Sequence, residues 1–194
     1  MLIFILLGVM TLFVVGLITA ALGTRMKHPG VLIANLLLIG AIFWLGNAAS
    51  AAPGSHSGNG NPVLILVLPL GALAIVLIGQ LYAWARPRRF RPIILAALLI
   101  GLIAHQAAGF ELQRIRYYGL RERIFAAMTA EGMRDARSFA DAVTSGPGSM
   151  HMNSHFFHLN TYLMFVGWAA IAAVILLLVF PVSAGREQQE EDLA

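Results

Sequence analysis

The sequence contains no cysteine. This absence excludes disulfide bonds, thiolate metal sites and catalysis by a thiol, and it means that cysteine usage says nothing about the redox compartment. Charged residues are also scarce, because Asp, Glu, Lys and Arg together make up 11% of the chain, about half of their share in an average soluble domain. An ordinary soluble enzyme is therefore excluded.

The few charged residues are unevenly distributed and leave long windows without any charge. These windows cover residues 2–23, 28–85, 92–110 and 142–185. A helix that crosses the hydrocarbon core of a bilayer needs roughly 20 predominantly apolar residues. The sequence therefore predicts an all-α integral membrane protein, with the lipid bilayer as its immediate partner.

Turn-forming residues divide these windows into five predicted transmembrane helices. A segment rich in Pro, Gly, Ser and Asn at 53–62 splits the longest window, and Pro181 ends the last helix. The first window lacks the basic residues that precede the apolar core of a signal peptide, so we expect it to be retained as a membrane span. The predicted single membrane domain, 1–194, has spans at 2–22, 31–52, 63–85, 93–110 and 156–180 and a tail at 182–194.

The positions of arginine and lysine predict the orientation of the chain. Arg25 and Lys27 lie in the first loop, four arginines lie at 86–91 in the third loop, and the second loop has no cation. Because cytoplasmic loops are enriched in cations, we expect the amino terminus outside and the tail in the cytoplasm. A compact, arginine-rich chain without cysteine is typical of a bacterial inner membrane protein. The arginine clusters reflect this topology, and we expect no nucleic-acid partner.

The longest segment between predicted spans, 111–155, is then extracytoplasmic. It carries six arginines against five acidic residues. Its first half has apolar residues at helical spacing, namely Tyr117, Leu120, Ile124 and Met128. This pattern predicts a short amphipathic helical segment that lies on the membrane or on a partner. A second short helix is expected to begin at Ser138, with Asp141 completing a capping box. The segment is too small for a catalytic domain, which favours a lid or docking role.

Polar residues inside the predicted spans are informative because they are costly in a bilayer. His105 lies about 20 Å along its helix from Pro92, in the outer half of the membrane. Small residues share its face, namely Ala97, Gly101 and Gly109. They would let another helix approach closely, so we expect His105 to face protein. On the inner side, Asn35 and Gln80 are each expected either to form a hydrogen bond between helices or to lie at the membrane interface.

A second group of candidate ligands precedes the last predicted span. It consists of Met150, His151, Met152, His155 and His158. The three histidines are spaced i, i+4, i+7, so that a continuous helix would place them on one face. Imidazole binds copper, zinc and haem iron, and the methionine thioethers favour Cu(I). The alternative interpretation is that Ser154 begins the last helix and that no metal binds.

Three functions are compatible with these residues. The first is a subunit of a respiratory or other redox complex that binds haem b or copper through His105 with His155 or His158. A quinone would then bind nearby at His105, Gln106 or Asn160. One observation opposes a haem, because His105 is expected to lie about 10 Å deeper in the membrane than His158.

The second function is a periplasm-facing copper-handling protein that uses the group at 150–158. The third is an accessory or scaffolding subunit without a cofactor, whose partners are other membrane subunits. The glycines spread through the first three spans favour this third function, because small residues serve close helix packing. The sequence is equally compatible with a bound haem or copper and with no cofactor, and it leaves open whether the chain is an enzyme.

Overall fold

The computed structural model describes residues 27–53, 55 and 61–180. Within these residues every regular element is helical, and four helices are long and apolar enough to cross a membrane. The predicted first span, 2–22, and the predicted tail, 182–194, lie outside the described residues. The prediction of an all-helical, multi-pass membrane protein is confirmed at this level, for four of the five predicted spans.

Prolines and short polar segments determine where the helices begin and end. In chain order the helices are α1 (Pro29–Ala48), α2 (Val67–Ala85), α3 (Pro92–Ala130), α4 (Ala136–Val143), α5 (Asn153–Phe156) and α6 (Leu159–Val179). A 3-10 turn, Pro62–Leu66, leads into α2. The predicted boundaries agree closely except that α1 ends before residue 52 and that α6 begins after residue 156.

Helix α3 continues far beyond the predicted fourth span. Its 39 residues extend about 58 Å at 1.5 Å per residue, roughly twice the thickness of a hydrocarbon core. The second half of α3 is rich in Arg, Glu, Leu and Ala, which all have high helix propensity. This half therefore continues the spanning helix beyond the length that a hydrocarbon core requires, and its contact with the membrane surface or with a partner stays a prediction.

Helix α4 folds back on the projecting half of α3, and together they form a unit that we call the hairpin, residues 111–143. The apolar stripe predicted on α3 is buried here in a small core consisting of Leu120, Ile124, Met128, Ala136, Ala140 and Met152. Helix α4 begins two residues before the predicted Ser138, and Asp141 pairs with Arg121 of α3 instead of forming a capping box. The amphipathic pattern was correct, and α4 is what covers it.

Helix α6 is the central helix of the four, because it packs extensively against α3 and α2 and also touches α1. Phe43 of α1 contacts the rings of Phe157, Tyr162 and Phe165 at centroid distances of 5.7 to 5.8 Å. About two turns before Phe43 on α1, Asn35 Nδ2 donates to Gln80 Oε1 of α2 at 2.8 Å. This bond confirms the hydrogen bond expected between helices.

The bundle has two distinct ends, which we call the arginine end, at 86–91, and the hairpin end. At the hairpin end the fully buried Asn153 accepts a hydrogen bond from Asn61 Nδ2 at 2.6 Å and donates to the Ala49 carbonyl at 3.0 Å. Asn61 also donates to the Pro147 carbonyl at 2.9 Å. These two amides therefore join the end of α1, the start of the α2 segment and the chain before α5.

Gly46 allows α1 to approach Phe157 closely. A Cβ at this position would lie 2.4 Å from the Phe157 ring and 2.9 Å from its Cβ. Phe157 is buried and packs against Phe43, so moving its ring would disturb this contact. In contrast, nothing lies within 4 Å of the Cβ position of Gly71 on α2.

We expect Gly46→Ala to lower the free energy of unfolding by about 1–3 kcal/mol, because it overpacks the contact between α1 and Phe157. Gly71→Ala is the matched control, and it should be neutral or stabilising since alanine has the higher helix propensity. The measurement is a titration of the detergent-solubilised full chain with sodium dodecyl sulfate, followed by circular dichroism. Equal stability of the two variants would contradict the close approach at Gly46.

Candidate functional site

The predicted ligand His158 lies at the hairpin end, immediately before the spanning helix α6. The His158 Nδ1 atom accepts a hydrogen bond from the Asn160 backbone N–H at 3.0 Å, and the His158 backbone N–H donates to Thr161 Oγ1 at 3.0 Å. These reciprocal bonds form a capping box, in which histidine takes the place of the more common serine or threonine. His158 therefore fixes the first turn of α6.

The second ring nitrogen of His158 binds α3. Its Nε2 lies 2.9 Å from Gln113 Oε1. Because Nδ1 accepts a hydrogen bond and is therefore unprotonated, Nε2 carries the hydrogen and donates a hydrogen bond to the glutamine oxygen. Both ring nitrogens are thus engaged, and His158 would have to leave the cap or the glutamine before it could bind a metal.

Amide side chains complete the connection between α3 and α6. Gln113 Nε2 donates to the His155 carbonyl, and Asn160 Nδ2 donates to the Gly109 carbonyl at 2.9 Å. Deeper in the membrane, Gln106 Nε2 donates to the Met164 carbonyl at 3.0 Å. Gln106 and Asn160 are therefore engaged in helix packing, whereas the sequence suggested them as quinone ligands.

Gln113 is a site residue that the sequence analysis missed. It lies seven residues after Gln106, which places both amides on the same face of α3 two turns apart. This repeat was the available signal. Residue 113 was assigned to the extracytoplasmic segment, and a glutamine outside the membrane carries no energetic cost that would mark it as a site residue.

His155 lies beside His158 but has different neighbours. Its ring is edge-on to Tyr117 at 5.6 Å and to Phe156 at 5.2 Å. Its Nδ1 is buried and has no hydrogen-bond partner among the described residues. Burial, and secondly the Arg116 guanidinium, lower the pKa of His155. The pKa of His158 is lowered to about 4 by burial first, by the Arg116 guanidinium second and by His155 third.

The group at 150–158 does not form a single ligand face. Met150–Met152 is a 3-10 turn, and the chain breaks again between α5 and α6, so that the continuous helix required for alignment is absent. His151 is 1% exposed and faces Phe139 of α4, while Met152 is buried in the hairpin core. Within the described part of the chain, no three His, Asp or Glu side chains are grouped to hold a metal.

His105 lies away from the other histidines, on an exposed flank of α3. Its Nδ1 lies 3.4 Å from the Cβ position of Gly167, a glycine about 13 Å further along α6 than His158. The difference in depth anticipated from the sequence is therefore present. His105 and His158 cannot bind the same iron in this arrangement.

The small residues beside His105 also differ from the expectation. Of the predicted packing stripe, only Gly109 is buried against α6, where its Cβ would meet the Met164 side chain at 2.7 Å. Ala97 and Gly101 are exposed among the described residues. The prediction that His105 faces protein is thus only partly correct, since its ring touches the edge of α6 and is otherwise uncovered there.

Comparisons with known proteins give no relative, because no family model, no curated protein and no solved structure matches this chain.

The lowered pKa values predict that the folded protein loses stability as the pH falls from about 6.5, the ordinary histidine value, towards about 4. In this range the unfolded chain binds protons that folded His155 and His158 do not, so acid favours unfolding. His158→Asn keeps a capping oxygen but cannot titrate, and it should reduce the slope of unfolding free energy against pH. An unchanged slope in His158→Asn would contradict the assignment of a neutral, bonded imidazole.

Proposed function

We propose that this chain is an accessory subunit of a larger membrane complex, anchored by its spanning helices and presenting the hairpin outside the bilayer. The observation that carries this proposal is the exposed position of His105 at membrane depth, on a flank of α3 that is lined with small residues. The proposed complex requires no catalytic group on this chain.

The flank of α3 around His105 is suited to a protein neighbour. Nothing lies within 4 Å of the Cβ position of Gly101, and Ala97, Gly101 and His105 follow one another at i, i+4 spacing. Small residues at this spacing let two helices approach closely, and an imidazole can then bond across the contact. An imidazole in contact with acyl chains would instead be costly. A helix of another subunit therefore suits this flank better than lipid does.

The hairpin supports a docking role outside the bilayer. It has its own buried core, and exposed ion pairs such as Arg137 with Glu122 at 2.8 Å lie outside that core. We propose that the hairpin faces the periplasm of a bacterium and that the arginine end faces the cytoplasm. The four cations at 86–91 support this orientation through the positive-inside rule.

Gly101→Leu should release the chain from its complex, because leucine would hold the partner helix away from α3. Ile103→Phe is the matched control, since it adds bulk on the opposite, also exposed flank of α3. Both variants are compared with the unchanged chain by native mass measurement after extraction from the native membrane in mild detergent. A mass equal to one 20.9 kDa chain for all three proteins would reject the subunit role.

A redox role is the second candidate, and the same exposed histidine favours it. His105 is on the surface of α3, so its imidazole can be one ligand of a haem b or copper centre whose other ligand belongs to a partner subunit. In this version His155 and His158 are not ligands, because one is enclosed by aromatic rings and the other has both nitrogens engaged. A copper-handling role for the group at 150–158 would require the chain between α4 and α6 to rearrange.

The redox candidate predicts haem absorption bands or bound copper in the isolated complex. His105→Leu should abolish either signal, while His158→Asn should retain it. The measurement is an optical spectrum of oxidised and dithionite-reduced complex, with metal analysis of the same sample. A complex that is intact but has neither haem nor copper would reject the redox role and leave the accessory role in place.

A further inference from the structure

An open groove of about 650 Å³ runs between α1 and the beginning of α6. Gly40 and Ala41 make it deep on the α1 side, and the Tyr162 ring forms its floor, 3.8 Å from the Cβ position of Gly40. Leu37 and Trp44 form its rim, and each is 69% exposed among the described residues. The groove has the volume of a small-molecule site and opens sideways, towards the acyl chains of a bilayer.

The groove is polar only at the hairpin end. Asn47 and His158 line that end, while the remaining lining is almost entirely apolar. Trp44, one turn before Asn47, is the type of side chain that settles at the level of lipid headgroups. The groove thus extends from the headgroup level into the hydrocarbon core, in the same direction as a phospholipid molecule.

A cation lies near the polar end of the groove. Gln113 bonds to His158, which lines the groove, and Arg116 follows Gln113 by three residues on the same side of α3. Arg114 pairs with Glu111 at 2.8 Å, whereas Arg116 has no ion-pair partner within the described ranges. The exposed Arg116 guanidinium acts electrostatically on His158, so it is a charged group close to the residue that forms this end of the groove.

The lowered pKa values of both neighbouring histidines agree with this placement. With His155 and His158 neutral near pH 7, the Arg116 guanidinium supplies the positive charge beside the polar end of the groove. A single cation above an apolar channel is complementary to one negative headgroup attached to an acyl chain.

We propose that this groove binds an anionic phospholipid, with the phosphate at Arg116 and Asn47 and one acyl chain lying against Gly40 and Ala41. The proposal is independent of the subunit role, because neither Gly101 nor His105 lines the groove and the lipid requires no partner protein. Other occupants, a second copy of the chain or residues outside the described ranges, give different outcomes in the test below.

Trp44 provides the measurement, because it stands at the rim of the groove. The full chain with Trp84→Phe and Trp168→Phe keeps Trp44 as its only tryptophan. It is reconstituted in phosphatidylcholine nanodiscs to which a small fraction of a brominated lipid is added, because bromine quenches tryptophan fluorescence on contact. The brominated lipid is phosphatidylglycerol in one sample and phosphatidylcholine in the other, at the same fraction. We expect the anionic lipid to be preferred at Trp44 by about fivefold, the ratio expected for one arginine at an anionic surface.

Three variants separate a specific site from general attraction to the protein surface. Arg116→Gln should remove the preference, and Arg114→Gln, which removes the same charge at similar depth on another face of α3, should leave it unchanged. Ala41→Phe fills the groove and should also remove the preference.

The proposal is overturned by equal quenching with both lipids or by equal effects of the two arginine variants. It is also overturned by no quenching with either lipid, which would show that protein covers the groove. Circular dichroism of each variant verifies that the chain is folded.

Discussion

The two hydrogen bonds of the His158 ring are the interaction on which the rest of this structure depends. One bond caps α6 at its first turn, and the other attaches that turn to Gln113 of α3. Because α6 is the central helix, fixing its start also fixes the depth at which α1, α2 and α3 pack against it. A polar side chain at this level would be costly without partners, and full use of both nitrogens removes that cost. The same arrangement makes His158 unsuitable as a metal ligand.

The protein stabilises its membrane part and its projecting part by different means. Between the spanning helices apolar burial gives little drive, because lipid is as apolar as leucine, so close approach and sparse amide bonds decide the packing. Gly46 supplies the close approach, and Asn35 with Gln80 supplies an amide bond. In the hairpin, which we propose lies outside the bilayer, the burial of Ile124 and Met128 against α4 contributes in the ordinary way. The two parts can therefore respond separately to substitution and to a partner.

The sequence predicted the spanning helices well because charge-free windows and prolines are local features. It also predicted that Asn35 and Gln80 could each form a hydrogen bond between helices, and the structure shows that they bond to each other. It could not predict the site, because the alignment of His151, His155 and His158 depends on whether the helix is continuous. The break before α6 coincides with the His158 capping box, and the same ring bonds to Gln113 in a long-range contact that spacing does not reveal. Similarly, the apolar stripe of α3 was evident, but amphipathicity does not identify what covers it.

Two isolated polar groups on one side of α3 carry the proposed contacts of this chain, and the clustered histidines do not. His105 and Arg116 are eleven residues apart, about three turns, and so point in nearly the same direction at different heights. A helix packed at His105 and a lipid headgroup held at Arg116 would be neighbours on this side of the bundle. A phospholipid seated there would contact both the groove and an adjacent subunit, which is how lipids commonly fill the space between irregular helical surfaces. Exposure of polar groups at membrane depth, rather than clustering of metal-ligand types, is therefore the stronger indicator of function in this chain, because each such group requires a partner that the described helices do not supply.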